Sequence, residues 1–184
     1  VGSLQSLSLV DRRIVAVWAA DCAERVLSLF EQESPDDPRP RDAIARARAF
    51  ARGELDAAGE IRRRFVAGRA ANDVSTPAAV AAARAAAQAA GVAHMGAHAL
   101  GAAAYAAKAA GLAAPEDTGA VGAEIRWQQD RLSVDAADAL RRLPLLGADP
   151  AGPLGAGLLS TGVLAATIRA LQAGLAEAGR PPSA

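Results

Sequence analysis

Between Pro77 and Ala114 the chain reads PAAVAAARAAAQAAGVAHMGAHALGAAAYAAKAAGLAA: twenty-two alanines in thirty-eight positions, no acid, and one each of Arg and Lys. Alanine loses no side-chain entropy on ordering and is the strongest helix former. Thr76 before Pro77 supplies an N-cap and a first-turn proline. Helices this slim can approach one another closely. The stretch therefore predicts a helical hairpin, or one kinked helix, with its break at Gly91. Around it we expect an all-α, single-domain bundle of about six to eight helices. No strand-like alternation occurs elsewhere.

The second half of this stretch carries the one unusual face. At about 100° per residue His94, His98, Gly101 and Tyr105 fall on a single stripe of one helix. These are the only two histidines and the only tyrosine. Three readings stand: volume filling in a buried stripe with hydrogen bonds to neighbours, a ligand pocket, or a metal site. HxxxH on a helix puts two imidazoles within reach of one transition metal. The Glu of the metalloprotease form is missing, so Asp21, Glu24 or Glu124 would have to complete it. By helix phase the stripe is expected to face inward, toward the first helix, with Asp21, Glu24 and Arg25 as its partners and Trp18 or Trp127 nearby.

Charge and cysteine usage remove several classes. Twenty basic and twenty acidic residues cancel, which takes away the electrostatic argument for nucleic-acid or membrane-surface binding. Nineteen of the bases are Arg, consistent with a GC-rich coding bias. Cys22 is the only cysteine, so no internal disulfide forms and a reducing, cytoplasmic setting is expected. On the apolar face of a helix it reads as core. The opening VGSLQSLSL lacks the features of a secretory signal. Nineteen uncharged residues run from Pro150 to Ile168, but prolines and glycines crowd their start and argue against a membrane span. No phosphate loop, dinucleotide fingerprint, nucleophile elbow or paired-cysteine motif is present. No cofactor and no catalytic residue is expected.

Taken in order, a first helix is predicted over about Leu9–Glu33, with Ile14, Trp18, Cys22, Val26 and Leu29 at helical spacing. Asp21 and Arg25 lie at the margin of that stripe. Pro35, Pro38 and Pro40 break the chain before a second helix that ends at Gly53. On it Arg41, Arg48 and Arg52 line up beside the apolar face. Residues 1–38 carry net charge −4 and residues 39–69 net +5. The arginines are therefore expected to pair with Asp21, Asp36 or Asp37; the alternative is an external anion. A third helix over about Asp56–Ala71 would bury Ile61 and Phe65 and leave Arg62, Arg63 and Arg64 in solvent. Further helices are expected at about Asp117–Leu132, Asp135–Leu143 and Leu158–Ala178. Trp127 lies off the stripe of the first of these and reads as a groove cover or a partner contact. Leu164, Ile168, Leu171 and Leu175 make a regular stripe on the last, to be covered by its own domain or by a second copy. The end, GRPPSA, is expected to fray.

Three runs, DRRIVAVWAADCAERVLSLFE, PDDPRPRDAIARARAFARGE and AHMGAHALGAAAYAAKAAG, resemble a mostly actinobacterial family of helical domains named putative immunity proteins. The likeness covers about residues 9–132. It is strongest at Asp11-Arg12-Arg13, Trp18 to Arg25, Asp36 to Arg48, Gly53-Glu54 and the His94/His98/Tyr105 stretch. The resemblance implies a domain over 1–143 that binds and neutralises a co-encoded toxin, with 144–184 as an extension packing on the domain or on a partner. It brings no catalytic residues. An exonuclease label attached to some members finds no carboxylate cluster here.

Two function classes follow. One is a cytoplasmic binding protein, an immunity-type inhibitor with a protein partner and no nucleic acid or membrane. The other is a small-molecule-binding or accessory biosynthetic protein with a pocket lined by His94, His98 and Tyr105. An exposed charged or aromatic patch would favour the first; an enclosed pocket holding both histidines would favour the second.

Overall fold

The computed structural model describes residues 3–63 and 65–179, with the backbone alone for residues 61–63. Its helices are α1 Leu9–Arg25, α2 Leu27–Glu31, α3 Arg39–Ala51, α4 Ala57–Arg63, α5 Val66–Ala70, α6 Pro77–Gly91, α7 His98–Ala113, α8 Ala120–Asp130, α9 Val134–Arg141 and α10 Gly162–Ala178. No strand occurs among the described residues, and the architecture is all-α.

The Ala-rich stretch is a hairpin. Helices α6 and α7 form the most extensive contact in the molecule, and α1, α3, α5, α8 and α10 pack around them. From Ala99 to Ala107 every residue of α7 is buried. That requires neighbours on all sides at close range, which methyl side chains permit. Gly111 marks one approach: a Cβ there would lie 2.6 Å from Val121 Cγ2 on α8. The start of α6 is capped twice. Thr76 Oγ1 accepts from Ala79 N, and the Glu33 carboxylate accepts from the backbone N–H and hydroxyl of both Ser75 and Thr76.

Two expected helices are each broken in two. The first stops at Arg25, with Val26 at φ −110° and ψ 3°, before α2 resumes. Val26 and Leu27 are both buried, so the break lets both pack inward. The third is split into α4 and α5, and Phe65 between them is 60% exposed instead of buried. The expectations for the side chains of Ile61, Arg62 and Arg63, for Arg64 and for the terminal 180–184 lie outside the described residues.

Residues after 143 close the bundle. Helix α10 lies against α7, α8 and α9, and Leu164, Ile168, Leu171 and Leu175 join the same core cluster as the hairpin alanines. Gln5, fully buried, links both ends: its Nε2 donates to Ala151 O at 2.6 Å and its Oε1 accepts from Leu154 N at 2.9 Å. Its backbone O accepts from Ala97 N, and Ser6 O accepts from Gly96 N, in the hairpin turn. Among the described residues no helix is long and apolar enough to cross a membrane.

Candidate functional site

The face of α6 toward α5 carries Arg84 and Gln88, the only large polar side chains of that helix. Gln88 accepts a hydrogen bond on Oε1 from His98 Nδ1 at 2.7 Å, across the first turn of α7. This fixes the neutral ring with its proton on Nδ1 and a bare Nε2. Tyr105 follows two turns later on the same face. Phe65 and Gly68 close the opposite side. Together with Ala87, Gly91 and His94 they line a cavity of about 420 Å³.

Two glycines make that geometry available. A Cβ at Gly91 would lie 2.9 Å from His98 Cγ, and one at Gly101 would lie 2.3 Å from Gln88 Oε1. Burial, with His94 adding to it, lowers the His98 pKa to about 4. The imidazole is thus neutral at physiological pH.

His94 is not on the helix that carries His98. Helix α6 ends at Gly91, whose carbonyl accepts from His94 N and Met95 N, and α7 begins at His98. Arg12 of α1 holds the intervening turn by donating from Nη1 to Ala93 O at 2.6 Å. His94 is exposed, and its ring centroid lies 6.4 Å from that of His98. The expected i,i+4 pair on one helical stripe is therefore a turn residue beside a helix N-terminus. Nor do the α1 side chains serve as its partners: His98 bonds Gln88, while Asp21, Glu24 and Arg25 belong to a different cluster. Among the described residues no group of three or more His, Cys, Asp or Glu is placed to hold a metal ion.

That second cluster joins α1, α3 and α8. Arg48 Nη2 reaches Asp21 at 2.8 Å and Glu24 at 2.6 Å, and these acids hold its pKa above the ordinary value. This contact ties the acidic first segment to the basic second one. Arg41 pairs with Glu31, and Arg52 with Glu54 at 2.7 Å, so each arginine of the stripe meets an acid. Arg25 Nε bonds the buried Glu124 at 2.7 Å. Its guanidinium lies 4.3 Å from the centroid of a Trp127 ring, and that of Arg131 lies 5.2 Å from one. Asp21, Glu24, Arg25, Trp127 and Arg131 line a shallow groove of about 310 Å³.

Trp18 lines neither the cavity nor the groove. It is buried, and its Nε1 donates to Gln128 O at 2.8 Å. Cys22 is fully buried, and burial first, then Glu124 and Asp21, push its thiol pKa well up. It stays a thiol. Thus the six residues read as one site divide: His94, His98 and Tyr105 share the cavity, Asp21 and Arg25 share the groove, and Trp18 is core. Sequence reasoning missed Arg84, Gln88 and Gly68. The available signal was that Arg84 and Gln88 stand four apart, on one face of an otherwise methyl-covered helix.

No curated protein and no solved structure matches the chain. Residues 5–135 match the family described as Imm-5 like putative immunity protein, and the chain belongs to that family.

Proposed function

We propose that the protein is an immunity-type inhibitor, acting in the cytoplasm, that neutralises a co-encoded toxin by binding it. Family membership over residues 5–135 is the observation that carries this reading. The groove at Trp127 supports it as the docking face. Trp and Arg dominate the energetics of protein interfaces, most strongly where a pre-ordered aromatic meets a partner. Here Trp127 is half-buried beside two guanidinium groups, so little side-chain freedom remains to be lost on binding. Asp21 and Glu24 on the rim add charge of the opposite sign, which favours register and orientation. Residues 1–143 form the toxin-binding unit on this reading, and 144–184 act as an extension that covers it.

The test is co-expression with the toxin domain encoded beside the gene. The wild-type protein should restore growth of a bacterial host and co-purify with the toxin as a stoichiometric complex. Trp127→Ala should weaken the complex at least ten-fold, with the protein still folded by circular dichroism. Unrescued growth with no complex would overturn the inhibitor reading; full binding by Trp127→Ala would overturn the docking face alone.

A further inference from the structure

We infer that the cavity between α5, α6 and α7 binds a small organic anion, a carboxylate or phosphate ester, with Arg84 and Tyr105 gripping the charged group. This goes beyond the inhibitor reading and does not depend on it. At about 420 Å³ the cavity falls within the size range of small-ligand sites and exceeds what an inorganic ion would fill.

Its lining is one-sided in charge. It contains no carboxylate, and with His98 neutral the fixed charge comes from Arg84. Eight arginines among the described residues are paired with acids. Arg84 has no ion pair or hydrogen bond among them. An unpaired guanidinium at the edge of a cavity matches the forked geometry of a carboxylate or phosphate.

Tyr105 is the second, independent observation. It is 3% exposed and lines the cavity, and its hydroxyl has no protein partner among the described residues. The hydroxyl oxygen is not one of the fully buried atoms left without a partner, so it opens to the cavity, where it can donate a hydrogen bond to a ligand oxygen. The Gln88–His98 bond locks the adjacent wall, and Phe65 and Ala87 offer apolar surface to the organic part.

Gly68 provides a way to close the cavity without disturbing the fold. A Cβ there meets only Ala87 Cβ, at 3.9 Å, and the position is helical, so a larger side chain enters open space.

The experiment uses the full chain with phenyl phosphate and benzoate as probes and benzyl alcohol as the neutral control. Binding is followed by calorimetry and by the imidazole resonances of His94 and His98, which are unambiguous because the chain has no other histidine. At least one anionic probe should bind and shift the His98 signals, with benzyl alcohol at least ten-fold weaker. Arg84→Gln should reduce affinity at least ten-fold, Tyr105→Phe several-fold, and Gly68→Leu should abolish binding with the melting temperature held or raised. Absence of binding by both anions, equal binding of the alcohol, or anion binding that survives both Arg84→Gln and Gly68→Leu would overturn the inference. Should Arg84→Gln not fold, Gly68→Leu decides alone.

Discussion

His98 ties the cavity to folding. Its pKa is about 4 in the folded protein, against about 6.5 for a free imidazole. As pH falls, the unfolded chain takes up the proton first. The histidine's contribution is therefore complete above pH 6.5 and is lost progressively toward pH 4, a difference on the order of 3 kcal/mol. Urea melts of the wild type should show stability rising with pH across that window, and His98→Gln should flatten the slope. Glu33 works in the same sense at lower pH. Hydrogen bonds from Thr76 and Ser75 lower its pKa from 4.5 to about 2, so its contribution is present above pH 4.5 and fades toward pH 2. At neutral pH, Thr76→Ala removes a cap and should cost about 1 kcal/mol in the same assay.

At the scale of elements, the α6–α7 hairpin decides how the rest packs. Gly101 on α7 faces Gln88 of α6 with no room for a side chain between them. An added methyl would meet Gln88 Oε1, with Leu159 Cδ1 at 3.2 Å on another side. Gly101→Ala should therefore destabilise the protein by about 1–3 kcal/mol. It should also break the Gln88–His98 bond, seen as an altered His98 tautomer by NMR. The hairpin was legible in the sequence because alanine content, Thr76-Pro77 and Gly91 all point the same way. The turn after Gly91 was not. The run VAHMGA contains no proline, and its helix propensity let His94 and His98 read as one helical stripe. The chain departs from a helix there because Arg12, Gln5 and Ser6, remote in sequence, bond to the turn's backbone. The break at Val26 has the same character: the amphipathic pattern continues through it, and packing alone interrupts the helix. Arg84 was equally hidden, since its partnerless state depends on where α5 crosses.

Across the whole molecule, residues beyond the family match are not peripheral to the core. The regular Leu164, Ile168, Leu171 and Leu175 stripe announced a covered helix, and its cover is α7, α8 and α9. Ending the chain at Gly147 would expose those surfaces, and the truncated protein should melt well below the full chain or fail to fold. Leu171→Ala, a milder change at a side chain 1% exposed, should cost about 2–5 kcal/mol.

The buried amide of Gln5 has a consequence in time as well as space. Its partners lie 146 and 149 residues away, and the same short segment clamps the turn that carries His94. During translation Gln5 emerges well before its partners, and 146 to 149 further residues must be added before its acceptor and donor exist. Local helices can form as they emerge, while this junction must close last, as contacts of long sequence separation do. The cavity wall is thereby set only after Leu154 has been added, and a product that stops short of it would carry the histidines without the frame that positions them.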